Sequence, residues 1–136
     1  MHSQQRRDRG SRQPDYHLPE DVINKGGSIL VEEADTLAKR MKDGGLTTSQ
    51  IRNIYAAVKK IQMRTEKGEA LDAHQLLMLK PKLAYAAKRA GKDGADLLKM
   101  ALTQAIDYVD NSRENFDRFV DFFEAILAYH KAHGGN

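Results

Sequence analysis

Residues 46–58 read LTTSQIRNIYAAV, and this stretch carries both a helix start and a helical hydrophobic period. Thr47 and Gln50 have the T-x-x-Q spacing of a capping box, in which each side chain bonds the backbone N–H of the other residue. Leu46 and Ile51 flank them at the hydrophobic-staple positions. From Ile51 onward apolar side chains recur every three or four residues, which predicts one amphipathic helix.

Segments with the same helical period lie on both sides of this stretch. Upstream, residues 29–41 place their apolar side chains on one stripe. Downstream, three more segments begin after Asp72, Asp93 and Asn111, which we expect as N-caps because their side chains can accept a backbone N–H. No segment alternates with a period of two, so the sequence predicts an all-α protein, a compact bundle of about five helices over residues 28–136.

Pro81 lies inside the third helical segment. An internal proline removes one backbone hydrogen bond and clashes with the carbonyl one turn earlier, at a cost of about 3 kcal/mol, whereas the first turn of a helix tolerates it. We therefore expect a short helix that ends at Leu79 and a new or kinked helix that runs from Pro81 to Gly91. We also expect Leu77 and Ala84 on the apolar side of this segment.

Residues 1–27 differ in composition from the rest of the chain. They hold all but one of the prolines, are rich in Gln, Arg and Ser, and show no period, so we expect a flexible basic tail. The chain has no cysteine, which excludes a disulfide framework and Cys-ligated metals. The apolar runs are too short to span a bilayer, and the start has no apolar signal segment. We therefore expect a cytoplasmic protein that does not contact a membrane.

The net charge of +3 conceals an uneven distribution. Residues 52–92 carry ten Lys and Arg against three acidic residues, whereas residues 93–136 carry eight acidic residues against four basic ones. A strongly positive middle region suits a polyanion such as nucleic acid, but an unevenly charged solvated surface gives the same pattern. Charge alone leaves both interpretations open.

The sequence offers little for catalysis or metal binding. His130 and His133 are three residues apart, but no carboxylate at metal spacing accompanies them, and His130 lies on an apolar stripe, so we expect a hydrogen-bonded structural histidine. Asp117, Asp121 and Glu124 fall opposite the phenylalanines of the last helix, where we expect a solvated face rather than a nuclease cluster. We predict no enzyme activity, no metal and no cofactor.

The basic middle region is the remaining functional signal. Arg52 and Lys59 are seven residues apart and share a helix face. Lys80 and Lys82 flank Pro81. Such side chains contact phosphates without reading bases, which predicts salt-sensitive and largely sequence-independent binding.

Two tyrosines lie near these cations in the sequence. Tyr55 and Tyr85 could stack on bases. Each of them also sits on or beside an apolar stripe, so core packing is the interpretation we favour for both.

Three segments of the chain match a known family in their order and spacing. They are LTTSQIRNIYAAV (46–58), LLMLKPKLAYAAKR (76–89) and FVDFFEAILAYHKAHGG (119–135). Over about residues 28–136 the chain closely resembles the small helical subunit of the type III-A CRISPR effector, the Csm interference complex. The K-P-K-L-A-Y segment and the aromatic ending with A-Y-H-K are distinctive, because a helix bundle does not require either.

The resemblance implies a non-catalytic subunit in antiviral defence. Small subunits of this family are compact five-helix proteins, and several copies stack beside the backbone subunits that hold the guide RNA. They hold mainly the target strand through basic side chains, while cleavage belongs to the backbone and large subunits. The implied partners are guide RNA, single-stranded target RNA, the backbone and large subunits, and further copies of the chain. A homodimer of the isolated subunit stays an open alternative.

The resemblance also implies which residues contact RNA. Its motifs point to Arg52, Lys80, Lys82, Arg89 and Lys131. Lys59 is added from helical geometry rather than from a motif. Many relatives have glycine where this chain has Lys88, so Lys88 is a weaker candidate.

The phenylalanines of the last helix are expected in the core or against neighbouring subunits. Phe119 and Phe123 lie on the apolar stripe. Phe122 lies about 90° from the centre of that stripe, so among these residues we expect it at a subunit interface.

The alternative is a stand-alone helical nucleic-acid-binding adaptor or regulator. A helix-turn-helix protein needs a second helix with polar, base-reading side chains. The segment that follows Gly68 is rich in leucine and contains Pro81, which makes it a poor recognition helix.

Overall fold

Residues 15–136, the part of the chain that this computed structural model describes, contain six helices and no strands. The helices are α1 (Asp21–Asn24), α2 (Ser28–Asp43), α3 (Thr48–Glu66), α4 (Ala73–Ala90), α5 (Asp93–Val109) and α6 (Arg113–Ala132). The prediction of an all-α bundle is confirmed, and the five long helices are the five that the sequence predicts. No helix in this part of the chain is long and apolar enough to cross a membrane.

The last helix, α6, is the centre of the packing. It contacts α1, α2, α3 and α5, and its most extensive interface is with α2. Its four phenylalanines are all fully buried: Phe116, Phe119, Phe122 and Phe123. The rings of Phe119 and Phe123 meet edge to face with centroids 6.5 Å apart. Burial of each such ring stabilises the fold by roughly 2 kcal/mol before entropy is counted.

Two helix starts follow the local sequence signals. The Thr47 hydroxyl accepts the Gln50 backbone N–H at 3.3 Å, and the Gln50 side chain accepts the Thr47 N–H at 3.0 Å. This confirms the capping box at the start of α3. The Asp72 carboxylate likewise accepts the Gln75 N–H at 3.0 Å, so Asp72 is the N-cap of α4, as predicted.

The other two predicted N-caps are wrong by one residue. Asn111 has a φ of 62°, in the left-handed region that asparagine tolerates, and Ser112 takes the N-cap position of α6 instead. Lys92 precedes α5 with an extended backbone, and Asp93 is the first helical residue. A carboxylate in the first turn still interacts favourably with the helix dipole.

Pro81 does not break its helix, because α4 is continuous from Ala73 to Ala90. The expectation that one helix ends at Leu79 and a new one begins at Pro81 is therefore wrong. Leu79 and Leu83, on either side of the proline, are both buried in the core. Tertiary packing of this kind supplies most of the stability of a helix in a protein and here outweighs the local cost of the proline. The predicted end is correct, since Gly91 caps α4 with a φ of 62°.

Three positions of α4 that we expected in the core are exposed. Leu77 is 53% exposed, Tyr85 is 66% exposed, and Ala84 also lies at the surface. Within the described residues α4 contacts only α3 and α5, so the outer part of its circumference faces solvent. The apolar side chains of α4 thus cover a larger part of its circumference than the part that is buried.

The expected tail is too long, because residues 15–27 include a packed segment. Leu18, Val22 and Ile23 are fully buried. The Leu18 backbone N–H donates to Gln104 Oε1 at 2.7 Å, and the Tyr108 hydroxyl donates to the Leu18 carbonyl at 2.9 Å. The remainder of the predicted tail, residues 1–14, lies outside the described residues.

This N-terminal segment also explains why Phe122 is in the core and not at the surface. Arg118 and Asn115 lie on the same side of α6 as Phe122, one and two turns earlier. The Arg118 guanidinium donates to the Ile23 carbonyl at 3.5 Å, and the Asn115 amide donates to Asn24 Oδ1 at 3.0 Å. The segment covers that side of α6, so the expectation that Phe122 forms a subunit interface is wrong.

Candidate nucleic-acid interface

Two adjoining grooves run between α3 and α4. The first has a volume of about 740 Å³. Its floor is apolar and includes the buried side chains of Ile54, Leu83 and Ala87. Its rim includes the exposed cations Lys82 and Arg89. Because the helices pack through their small and apolar side chains, the cations are left at the edges of the depression.

The second groove, of about 570 Å³, continues toward the C-terminal half of α3. It shares Asn53 and Lys82 with the first groove. Three further cations line it: Lys60, Arg64 and Lys67. We call the surface formed by both grooves and their five cations the α3–α4 face.

One cation of the α3–α4 face already has an acidic partner. Arg64 lies 3.5 Å from the Asp72 carboxylate; the Arg64 side chain is largely exposed and that of Asp72 is partly exposed. Exposed pairs of this kind contribute little to stability, and the partner reduces the local positive field. The field of the face therefore comes mainly from its other four cations.

Tyr85 and Met78 add exposed apolar surface to the first groove. Tyr85 is 66% exposed and Met78 is 40% exposed. The Arg89 guanidinium lies 6.0 Å from the centroid of the Tyr85 ring, within the range of a cation–π interaction. The prediction that Tyr85 packs in the core is wrong, and the tyrosine lies instead where a ligand can reach its ring.

The six cations that the sequence analysis singled out do not share one surface. Lys82 and Arg89 lie on the α3–α4 face. Lys80 lies on the opposite flank of α4, where its ammonium is 2.5 Å from the Asp107 carboxylate of α5. Lys80 and Lys82 are thus only two residues apart in sequence but lie on different sides of α4.

The other three cations line neither groove, and Lys59 lies on the side of α3 that faces α6. The Lys59 ammonium lies 5.9 Å from the centroid of the Tyr55 ring. That ring packs edge to face on Phe123, with centroids 5.3 Å apart, which agrees with the core packing expected for Tyr55. Arg52 and Lys131 are exposed on α3 and near the end of α6.

Carboxylates lie close to Lys59. Partial burial raises the pKa of Asp121, and the nearby charges of Glu124 and Asp117 raise it further, while Lys59 lowers it. Asp121 and Glu124 are exposed, as the sequence analysis expected for a solvated face. The mixture of signs makes this side less suited to phosphates than the α3–α4 face.

The first groove also contains residues that the sequence analysis did not identify as ligand contacts, namely Gln50, Asn53 and Met78. Met78, Lys82, Tyr85 and Arg89 are spaced by four, three and four residues, which places them on one stripe of α4. This spacing was visible in the sequence. It was obscured because a new or kinked helix was expected from Pro81, so that Met78 was not grouped with the three stripe residues that follow the proline.

His130 has the structural role that the sequence predicts. It is fully buried, its Nε2 donates to the Leu46 carbonyl at 2.6 Å, and its Nδ1 lies 3.2 Å from the Thr48 hydroxyl. His133 points elsewhere and pairs with Asp35 at 2.6 Å. Over residues 15–136 no group of three His, Cys, Asp or Glu side chains is arranged to hold a metal ion.

The described residues form a small all-α protein with a grooved, cation-lined surface. The family model described as Csm2 Type III-A matches residues 24–136, which is most of the chain. The chain therefore belongs to the Csm2 Type III-A family, and it is a small subunit of the type III-A CRISPR Csm complex. This confirms the resemblance seen in the sequence. Searches of curated proteins and of solved structures found no match.

Proposed function

We propose that this chain is a non-catalytic subunit that holds target RNA beside the guide RNA in the type III-A complex. The observation that carries the proposal is the α3–α4 face, where Lys60, Lys67, Lys82 and Arg89 line two adjoining grooves. Family membership supplies the context, a complex with other subunits. Cations that neutralise phosphates bind without reading bases, so one surface can serve any target sequence.

The six predicted contacts enter this proposal with unequal weight. Lys82 and Arg89 make the principal contacts, since both lie on the α3–α4 face. Arg52, Lys59 and Lys131 form a second contact on the α6 side. Lys80 contributes least, because Asp107 offsets its charge.

Repetition is what makes a weak surface useful in this proposal. One copy offers only a few phosphate contacts. Several copies stacked along the effector, next to its backbone and large subunits, present those contacts to one strand, and each bound copy raises the effective concentration of the next. Cleavage is left to the other subunits, and the proposed site of action is the cytoplasm.

A titration of the purified full-length chain tests the proposal. Single-stranded RNA, duplex RNA and DNA are compared at low and physiological salt. We expect weak, sequence-tolerant binding of RNA that falls as salt rises. The double variant Lys82→Glu and Arg89→Glu weakens it further.

Lys88→Glu is the matched control for this titration. Lys88 is exposed on the same helix, beside Arg89 in sequence, and lines neither groove. Equal losses of RNA affinity in the control and the double variant would show that the α3–α4 face has no particular role in binding RNA. Tight, sequence-specific binding of DNA would favour the stand-alone regulator instead.

A further inference from the structure

We infer that the first groove of the α3–α4 face receives one unstacked RNA base, with Tyr85 as the stacking partner and Lys82 and Arg89 at the adjacent phosphates. This inference rests on the proposed function. It adds a ligand class, because the site takes a nucleobase as well as the charged backbone.

The size and lining of the groove fit a flat, largely apolar group. Its volume of about 740 Å³ lies within the roughly 300–1,000 Å³ typical of small-molecule sites. The floor consists of buried aliphatic side chains, among them Ile54, Leu83 and Leu98. A phosphate gains nothing from an apolar floor, whereas the face of a base loses contact with water there.

The aromatic wall supplies the stacking surface. Within the described residues α4 contacts only α3 and α5, so the Tyr85 ring is left accessible. Single-stranded RNA is commonly bound by stacking its bases on such rings. The Arg89 guanidinium is 6.0 Å from the ring centroid, so the same cation can neutralise the phosphate next to a stacked base.

The α3 wall supplies polar groups for the edge of a base. Gln50 and Asn53 both line the groove. The Gln50 side-chain oxygen accepts the Thr47 N–H, so its NH₂ group is the end that can meet a base. An amide side chain offers both donors and acceptors, and Asn53 can therefore pair with any of the four bases.

A segment of a protein partner is the competing occupant, since Met78 and the apolar floor would also suit aliphatic side chains. The charges favour RNA. Lys82 and Arg89 stand at the rim, and the groove continues into a second one lined by three more cations. A continuous basic track next to an accessible aromatic ring is the usual arrangement of a single-strand binding surface.

Cross-linking in the assembled complex tests the inference. The Csm complex is reconstituted with this chain and loaded with target RNA that carries 4-thiouridine. It is then irradiated, and the cross-linked peptides of this chain are identified. Two variants are compared with the parent chain. Ala86→Phe fills the groove, and Ala84→Phe places the same side chain on the exposed opposite side of the helix.

We expect a cross-link at Tyr85 or Met78 with the parent chain and with Ala84→Phe. Ala86→Phe should lower its yield about tenfold, the loss expected when one stacking contact is blocked. Absence of a cross-link on α4, or an unchanged yield in Ala86→Phe, overturns the base site. So does weaker assembly of the Ala86→Phe complex with an unchanged yield, because a protein segment then fills the groove.

The charge variants separate this inference from the proposed function. If Lys82→Glu with Arg89→Glu weakens retention of target RNA but no cross-link forms on α4, the phosphate contacts stand and the base site is wrong. If no cross-link forms on α4 and the charge variants retain target RNA as the parent does, both the base site and the proposed function are wrong.

Discussion

His130 Nδ1 lies 3.2 Å from Thr48 Oγ1, and this buried pair joins the end of α6 to the first turn of α3. His130 Nε2 donates to the Leu46 carbonyl in the loop that precedes α3. Since α3 forms one wall of both grooves, the pair fixes the position of that wall against the phenylalanine core.

Replacing His130 with alanine should therefore cost stability. We expect His130→Ala to lower the free energy of unfolding by about 3 kcal/mol, because it leaves the Leu46 carbonyl unpaired and opens a cavity. Urea denaturation followed by circular dichroism measures the change. His133→Ala is the control and should cost less than about 1 kcal/mol, since its pair with Asp35 is only partly buried. Equal losses in the two variants would mean that the buried pair adds no more stability than the partly buried pair of His133 and Asp35.

Leu18 should behave as a core residue although it precedes the long helices. We expect Leu18→Ala to lower the free energy of unfolding by about 2–5 kcal/mol, the usual cost of truncating a fully buried leucine. The same denaturation experiment tests it. His17→Ala, at the exposed neighbouring position, should have little effect. A small effect of Leu18→Ala would show that residues 15–24 are not part of the cooperative fold.

Pro81→Ala should stabilise the protein. An internal proline costs about 3 kcal/mol relative to alanine, and its rigidity in the unfolded chain returns about 0.4–1 kcal/mol. We expect a net gain of about 2 kcal/mol in the free energy of unfolding, visible as a higher denaturation midpoint. Pro81 also lines the first groove. A loss of stability would mean that its packing there outweighs the backbone cost.

The five long helices could be predicted because their signals are local. Thr47 and Gln50 satisfy each other three residues apart, and the apolar stripes repeat within single segments. The packed segment before α2 has no such signal. Leu18 is held by a hydrogen bond from its backbone N–H to Gln104, 86 residues away. The segment is also too short to show a helical hydrophobic period. Phe122 was expected at a subunit interface for the same reason: the packing of the N-terminal segment on α6 was not predicted, so this side of α6 was expected to be exposed.

The candidate site could be predicted only in outline. The sequence located the basic region, but a count of charges does not say which side of a helix carries them. Lys59 and Lys60 are adjacent in the chain, yet Lys60 lines the second groove while Lys59 lies over Tyr55 on the α6 side. Which flank of α3 becomes a groove depends on where α4 and α6 pack. The sequence analysis placed Tyr85 in the core for the same reason, since its exposure depends on packing: among residues 15–136 no second layer of helices covers α4.

Retention of target RNA by the reconstituted complex tests the central claim most directly. Dissociation constants are measured over a range of salt for the parent chain, for Lys82→Glu with Arg89→Glu, and for Lys88→Glu. The account predicts weaker binding by the double variant, with the slope of log Kobs against log salt reduced by about two for each copy engaged. Lys88→Glu should match the parent. An unchanged affinity and slope in the double variant would contradict the claim that the α3–α4 face holds the target strand.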